Sequence, residues 1–318
     1  MAHALALAWR LHRWEIGAVA VAAVLLSAGA LWVTSDLGKL LAQCRAATEL
    51  VAPCGSLTEM GVVYHVESQT LMNLVHLGIA ALPFVAGVVL GAPLVSRELE
   101  HRTAQLGWPL ARSRARWLWF RFLPIALVGL VLLAIPAMAG EVLERTLHPL
   151  IDPGANFEQY GSRGPLVALR FLPVIAAAAL VGTLLGRQLP SVLVAGVVAG
   201  AMGFGLVLIQ PLWVEPDKQQ DPEVFRPLET MGSLYVTTRF RDRDGTWLSE
   251  EEAIERMSWD PDSGEPEPDP ADMPVPVLYV ISRERYGEVV LRESAALVGA
   301  GLVLSGLLLI TVRRRRPA

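Results

Sequence analysis

Six long apolar runs, separated by polar and charged segments, dominate the pattern of hydrophobic and polar positions along the chain. A helix needs roughly 20 mostly apolar residues to cross the hydrocarbon core of a bilayer. Lipid offers the backbone no hydrogen-bond partners, so each run can cross only as a helix. The sequence therefore predicts six transmembrane helices, at Ile16–Val33, Leu71–Leu94, Phe122–Gly140, Leu166–Gly186, Val192–Leu212 and Ala295–Val312.

The composition agrees with this pattern. Of 318 residues, 53% are hydrophobic and 18% are charged, and the mean hydropathy is +0.43. The first run follows Arg10 and Arg13, as a secretory signal would, but it is longer than the usual signal core of about 7–15 residues. We therefore interpret it as a span and predict an all-α polytopic membrane protein.

The arginines predict the orientation. If both termini are cytoplasmic, the short inner segments carry Arg10, Arg13, six arginines between Arg97 and Arg121, Arg187 and Arg313–Arg316. Basic residues in short loops and at span ends mark the cytoplasmic side. We predict a multi-pass protein of the plasma membrane with cytoplasmic N- and C-termini.

Three segments would then face outward: 34–70, 141–165 and 214–293. The first contains the only two cysteines, Cys44 and Cys54. The oxidising outer face makes a disulfide between them the favoured interpretation, and two free thiols are the alternative.

The third outer segment predicts a small extracellular α+β insertion. Residues 233–249 alternate apolar and polar positions around Asp244-Gly245, which predicts a hairpin. Ser249 can cap a short acidic helix, a Pro- and acid-rich stretch reads as a linker, and VPVLYVIS fits one more strand. The predicted organisation is 1–213 with five spans, 214–293 as the insertion, and 294–318 with the sixth span and a basic tail.

Glycines four apart indicate where helices approach closely. Gly87 and Gly91 end the second run, and Gly196 and Gly200 lie in the fifth. Such pairs occur at helix contacts. They are interpreted as either packing sites within the chain or contacts with a second copy.

Catalytic motifs are missing from the sequence. It contains neither the phosphate-binding pattern G-x-x-x-x-G-K-[ST] nor H-E-x-x-H, and its six histidines are scattered. His76 can be a proton relay, although a hydrogen bond to a neighbouring helix is the commoner role of such a residue. Arg170 in the fourth run lies within about a turn of the outer interface and can extend its charge to it. The sequence predicts no catalytic residue, no metal site, no cofactor and no nucleic-acid partner for this chain.

The segment after the second run has its own pattern. Ser96 can cap a helix whose first turns carry Glu98 and Glu100, and Pro109 would end it. The sequence thus predicts an amphipathic cytoplasmic helix at about 96–108 with solvated carboxylates. Arginines and a cluster of aromatic residues follow at the start of the third span.

These residues carry a resemblance. APLVSRELEHRTAQLGWPLARSRARWLW is similar to the first cytoplasmic loop of type-2, six-span permeases of ABC transporters, notably actinobacterial ones, whose pattern there is E-x-E-x-G-T. Glu98, Glu100 and Thr103 match this pattern, and Arg102 stands where glycine is usual. The resemblance implies that the loop is a coupling helix, with Glu98, Glu100, His101 and Thr103 contacting a separate ATPase.

The family further implies a complex of two permease copies, here expected as a homodimer in the lipid bilayer, with two cytoplasmic ATPase subunits that hold ATP and Mg. This chain would then be a transport subunit and not an enzyme. The apolar spans favour export of a hydrophobic or amphipathic cargo by alternating access. A membrane-anchored sensor or scaffold with an extracellular ligand-binding segment is one alternative, and a secondary transporter is the other.

Overall fold

The computed structural model describes residues 2–46, 66–103, 113–148, 152–219, 232–242, 244–257 and 273–315. Within these residues, six helical segments are long and apolar enough to cross a membrane: His12–Lys39, Thr70–Glu100, Arg114–Leu147, Gly164–Leu185, Gln188–Leu212 and Arg283–Arg314. Each coincides with one of the six apolar runs, which confirms the six predicted spans. Most extend beyond the predicted bounds because helices continue past the hydrocarbon core into polar surroundings.

The helices are α1 (Ala2–Ala46), α2 (Val66–Gly91), α3 (Pro93–Glu100), α4 (Arg114–Leu147), α5 (Gly164–Leu185), α6 (Gln188–Ile209), α7 (Glu250–Met257) and α8 (Tyr286–Arg314). The strands are β1 (Asp217–Gln219), β2 (Leu234–Arg241), β3 (Trp247–Leu248) and β4 (Val275–Ile281). The chain divides into two compact units. The first comprises Met1–Pro153, Gln159–Gln210 and Val290–Ala318, and the second comprises Gly154–Glu158 and Pro211–Val289.

The first unit is a helical bundle with α5 at its centre. In the most apolar stretch of α5, 72% of the residues are buried, against 11% in α6. Phe171 and Ile175 of α5 are fully buried. Gly129 of α4 makes room for the Phe171 ring, because a Cβ atom at this glycine would lie 2.3 Å from Phe171 Cζ. The bundle thus packs around α5, while α6 lies at its periphery.

The two ends of the bundle carry different elements. The end that carries α3, the starts of α4 and α6, and the C-termini of α5 and α8 is called the α3 end below. The other end carries Tyr160, the C-terminus of α4 and the start of α5, and is called the opposite end. The location of the α3 end in the cytoplasm remains a prediction.

The second unit contains a four-stranded antiparallel sheet in the order β1-β4-β2-β3 among the described residues. The predicted hairpin is confirmed, because Arg241 pairs with Trp247 across a turn in which Gly245 has a φ of 92°. The predicted cap is also confirmed. Ser249 Oγ accepts from the Glu252 N–H at 3.2 Å, and Glu252 Oε2 accepts from the Ser249 N–H at 2.9 Å. The Ser249 N–H, and the Ser249 hydroxyl that donates to the same Oε2 at 2.8 Å, lower the pKa of the Glu252 carboxyl below its usual range.

Two predictions fall outside the described residues. The placement of Cys54 and of the Cys44 side chain is not described, so the disulfide stays a prediction. Most of the acid-rich linker also lies in the undescribed segment 258–272. The strand predicted at VPVLYVIS is confirmed as β4.

Candidate coupling site

The start of α3 differs from the prediction. The helix begins at Pro93, whose fixed φ suits the first helical turn and whose missing N–H would be unpaired there in any case. Ser96 is buried inside the helix, and its Oγ donates a hydrogen bond to the Ala92 carbonyl at 2.7 Å. The prediction that Ser96 is the N-cap is therefore wrong. Glu98 and Glu100 lie near the C-terminus of α3, where the helix dipole does not favour a carboxylate.

Glu98 finds a partner on the third span. It forms an ion pair with Arg121 of α4, and the two side chains are only 15% and 17% exposed, respectively. The guanidinium of Arg121 also lies 4.5 Å from the centroid of the Trp117 ring. The expectation that Glu98 is solvated is therefore wrong. Its charge links α3 to α4.

Glu100 contacts the start of the fifth span. Its Oε2 accepts a hydrogen bond from the backbone N–H of Gln188 at 2.7 Å. Gln188 is the first residue of α6, and the preceding residue, Arg187, makes no side-chain cap of its own. A carboxylate at a helix start satisfies an unpaired N–H and suits the positive end of the dipole. Glu100 therefore caps α6 from a different helix.

Arg97 completes the connections of α3. Its Nη2 lies 3.1 Å from Oε1 of Glu15 on α1. The three charged residues of α3, at positions 97, 98 and 100, thus link it to three different spans: α1, α4 and α6. The sequence shows the charges but gives no indication of these partners, because each partner lies on a distant segment of the chain.

The turn that ends α3 is exposed. Its residues, His101, Arg102 and Thr103, all lie at the surface of the α3 end. Arg102 has a φ of 58°, and its N–H bonds to the Leu99 carbonyl at 3.2 Å. This left-handed conformation is the one that glycine adopts most easily. Arg102 therefore adopts a backbone conformation typical of glycine, at the position where the permeases that this loop resembles have glycine. Thr103 Oγ1 donates to the Glu98 carbonyl at 3.3 Å.

The helix predicted at about 96–108 is only partly described. The described helix spans residues 93–100, a turn follows at 101–103, and residues 104–108 lie outside the described part. The structure thus brings the predicted coupling residues together on one short segment. Glu98 and Glu100 point into contacts with other spans, and His101 and Thr103 lie at the exposed tip.

The four glycines predicted at helix contacts form two pairs, which differ in how closely other helices approach them. A Cβ atom at Gly87 would lie 2.5 Å from Val174 Cγ1, and one at Gly91 would lie 2.6 Å from the Ile175 carbonyl oxygen. These two glycines therefore allow α2 to pack closely on α5. At Gly196 and Gly200 a Cβ would meet no described atom within 4 Å, so this face of α6 is open.

The opposite end contains a buried ionic group that sequence reasoning missed. Arg170 of α5 donates to Oε1 of Glu293 on α8, through Nη2 at 2.7 Å and Nε at 3.0 Å. Tyr160 donates its hydroxyl to Oε2 of the same carboxylate at 2.8 Å. All three residues are buried. Arg170 thus pairs with a carboxylate on a neighbouring helix, a role that the sequence did not indicate.

A second buried polar cluster lies at the same end, between α2 and α4. His148 Nδ1 is 2.6 Å from Glu144 Oε1, and Glu144 is 1% exposed. His76 of α2 is also buried, and neither of its ring nitrogens has a hydrogen-bond partner among the described residues. Among the described residues, His76 therefore lacks the interhelical hydrogen bond that is the commoner role of such a residue. Within the described residues, no group of three or more His, Cys, Asp or Glu side chains is placed to hold a metal ion.

Sequence signals for these clusters existed but were incomplete. Arg170 interrupts an apolar run, and Glu293 stands two residues before the predicted start of the last run. Charged residues inside or beside spans usually pair with one another. The pairing could not be assigned, because the two residues are 123 positions apart and many helix arrangements are compatible with the same runs.

The first five spans match a known family. The sequence profile of a family described as ABC-2 membrane transporter related matches residues 16–210. The chain belongs to this family. Together with the six apolar helices, the match identifies a membrane transporter permease of the ABC-2 type, a transport subunit by family rather than a catalytic one. Membrane subunits of ABC-2 transporters generally pair with ATPase subunits. Searches of the curated proteins and of the solved structures gave no match.

Proposed function

We propose that this ABC-2-related chain is the permease subunit of an ATP-driven export complex, and that a separate cytoplasmic ATPase docks on the exposed turn His101–Thr103 and the segment after it. The observation that carries the proposal is the position of α3. Its tip is exposed, while its three charged residues connect it to α1, α4 and α6. A partner that moves the tip would therefore act on three spans at once.

The proposed mechanism uses these connections as the transmission path. ATP, with Mg, binds to the partner ATPase and draws its two copies together. The approach of the two ATPase copies displaces α3, and the contacts of Glu98, Glu100 and Arg97 transfer this displacement to the spans. Nucleotide binding can shift the spans between inward- and outward-open states only if the two states hold the ATPase with different affinities.

The sixth span joins the same end of the bundle. Arg114 Nη1, at the start of α4, donates to the carbonyl oxygens of Arg313 and Arg315 at 3.1 and 2.6 Å. Arg315 Nη1 in turn donates to the Leu184 carbonyl of α5 at 3.0 Å. These bonds hold the C-termini of α5 and α8 and the start of α4 beside one another. We infer that a movement at the α3 end would reach these spans as well.

Two finer points belong to the same proposal. The open face of α6 at Gly196 and Gly200 fits contact with a second copy, so we propose a homodimeric permease with two ATPase subunits. The interior positions of the spans are mostly alanine, valine, leucine and glycine. A hydrophobic or amphipathic cargo therefore suits the route better than a strongly polar one.

Substitutions at the tip test the docking site. The double variant His101→Ala/Thr103→Ala removes two exposed side chains, so the bundle should accumulate normally. Capture of the ATPase from the native membrane should fall by at least about fivefold, the usual effect of removing an interface residue that contributes more than 1 kcal/mol. Glu250→Ala/Glu251→Ala, on the exposed α7, is the matched control. Full capture by the tip variant would show that the ATPase docks elsewhere.

A secondary transporter is the second candidate, and one observation favours it. His76 and Glu144 are buried, titratable and close enough to interact electrostatically. However, His76 lies six residues from one end of its span and Glu144 lies three from the end of α4, whereas proton-coupled transporters bind near the midplane. Efflux that is abolished by a protonophore but insensitive to ATP depletion would favour this candidate over the ATP-driven one.

A further inference from the structure

An apolar groove opens on the surface of the bundle between three spans. It encloses about 210 Å³ and is lined by side chains that include Trp119, Phe122 and Leu130 of α4, Leu172 of α5, and Leu302 and Ser305 of α8. From Trp119 to Leu130 the groove runs about 16 Å along α4, at 1.5 Å per residue. This length is about half of a 30 Å hydrocarbon core. This length matches the depth of one leaflet, and the groove lies along the half of α4 nearer the α3 end.

Basic side chains extend both walls of the groove toward the α3 end. Arg116 lies one turn before Trp119, on the same stripe of α4 as Leu123 and Leu130. Arg313 lies three turns beyond Leu302 on the same face of α8. Both arginines are exposed.

The helix ends that carry the two arginines, the start of α4 and the end of α8, lie beside each other. Arg114, two residues before Arg116, donates a hydrogen bond to the carbonyl of Arg313 at 3.1 Å. The carboxylates of this end are already engaged by other groups: Glu15 by Arg97, Glu98 by Arg121 and Glu100 by the Gln188 N–H. In the described part of the chain, no carboxylate forms an ion pair with Arg116 or Arg313. This end of the groove thus presents positive charge without local compensation.

We propose that the groove is a binding site for an anionic phospholipid of the membrane. One acyl chain lies in the apolar part of the groove, and Arg116 and Arg313 bind the headgroup phosphate. Guanidinium groups are suited to a phosphate because their parallel donors match its oxygens. Basic pockets between transmembrane helices bind such headgroups, and a phosphate bound by Arg116 would put Trp119, one turn further along α4, in the interfacial region where tryptophan is favoured.

The orientation rule alone does not account for this arrangement. Arginines that only set topology need no apolar groove above them and no alignment with its walls. A helix from a second copy is a poorer occupant. A helix with its side chains is about 10–12 Å across, so it could place only single side chains in a groove of about 210 Å³. The acyl chain of a lipid is narrower than a helix. The site is independent of the proposed ATPase partner.

Native mass spectrometry of the purified full chain tests the proposal. The probe is a mixed micelle with equal amounts of phosphatidylglycerol and phosphatidylcholine, which share acyl chains and differ in net charge. We expect one phosphatidylglycerol per chain to be retained in preference to phosphatidylcholine. Arg116→Gln/Arg313→Gln should reduce this preference by roughly thirtyfold, since each arginine near an anionic surface contributes about fivefold. Arg13→Gln/Arg187→Gln, which also removes two exposed arginines, should leave it unchanged.

A second pair of variants tests the apolar part of the groove. Ser305→Phe should fill the groove and abolish retention of both lipids, whereas Val303→Phe, on another face of α8, should not. Equal retention of the two lipids by the unaltered chain would overturn the proposal. So would Ser305→Phe that keeps the bound phosphatidylglycerol. If Ser305→Phe converts a dimer to a monomer without changing lipid retention, a second copy fills the groove and the lipid assignment is wrong.

Discussion

Arg102 shows how a single residue is placed by the backbone around it. Its φ of 58° lies in the left-handed region, which costs a residue other than glycine about 1–2 kcal/mol. The side chain is exposed and forms no described ion pair. The turn therefore depends on the backbone conformation at position 102, and the arginine charge is a separate contribution.

Two substitutions at Arg102 separate conformation from charge. Arg102→Asn removes the charge but tolerates the left-handed region, whereas Arg102→Val removes the same charge and disfavours that region strongly. We expect the Asn variant to capture the ATPase as the unaltered chain does, and the Val variant to lose capture because the turn rearranges. Co-purification from the native membrane measures this. Equal loss in both variants would mean that the charge, not the turn, makes the contact.

The cysteine pair is a second prediction at this scale. A disulfide between Cys44 and Cys54 would close a short loop and stabilise the protein by about 2–3 kcal/mol. Mass-shift labelling of thiols, with and without reductant, decides whether it forms. We expect labelling only after reduction. Thiols that react in native, unreduced protein would contradict the bond and weaken the case for the outward placement of the segment.

Among the elements, α3 is the one whose contacts exceed what a simple connection requires. Its first half is buried against α5 and α6, and its second half carries the charges that reach α1, α4 and α6. In the proposed function, docking and transmission are divided along its length. The exposed turn would bind the partner, and Glu98 and Glu100 would pass movement to the spans.

This division predicts a split phenotype for Glu98. Glu98→Gln should leave ATPase capture intact, because the exposed turn is unchanged. It should lower cargo efflux and cargo-stimulated ATP hydrolysis, because the ion pair with the partly buried Arg121 is lost. Glu100→Gln is the matched control, since its amide oxygen can still accept from the Gln188 N–H. Loss of capture in Glu98→Gln would place Glu98 in the ATPase interface instead.

The Arg170–Glu293 pair predicts a strong coupling between α5 and α8. Removing one partner of a buried ion pair costs about 3–5 kcal/mol, while replacing both with apolar residues is often close to neutral. We expect Arg170→Met and Glu293→Leu each to lower the thermal unfolding temperature markedly, and the double variant to recover part of the loss. Arg145→Met, in an ion pair whose arginine is 65% exposed, should change little. Additive losses in the double variant would contradict direct coupling.

The elements differ in how far the sequence predicted them. The six spans could be predicted because a bilayer imposes a minimum apolar length on each helix. The β2–β3 hairpin and the Ser249 cap could be predicted because their signals are local. The pattern predicts a start of α3 three residues too late, because Ser96 is a good N-cap candidate whereas the helix begins at Pro93. The partners of Glu98, Glu100 and Arg170 depend on helix packing, which local patterns do not encode.

On the scale of the whole molecule, the chain combines a six-span unit of the ABC-2-related family with a second unit built on a small sheet. The family match covers residues 16–210 and so ends before most of the second unit. The sequence has no phosphate-binding loop of the G-x-x-x-x-G-K-[ST] type. The proposed function assigns ATP hydrolysis to a separate ATPase subunit.

The most direct test is ATP hydrolysis by complexes captured from the native membrane with the tagged chain. The account predicts that the captured complex contains an ABC ATPase and hydrolyses ATP, and that the chain stripped of this partner neither binds nor hydrolyses the nucleotide. Arg102→Val in the same protocol should yield the chain without the ATPase and without activity. Saturable ATP binding by the stripped chain, or capture of the chain with full transport activity but no ATPase, would contradict the account.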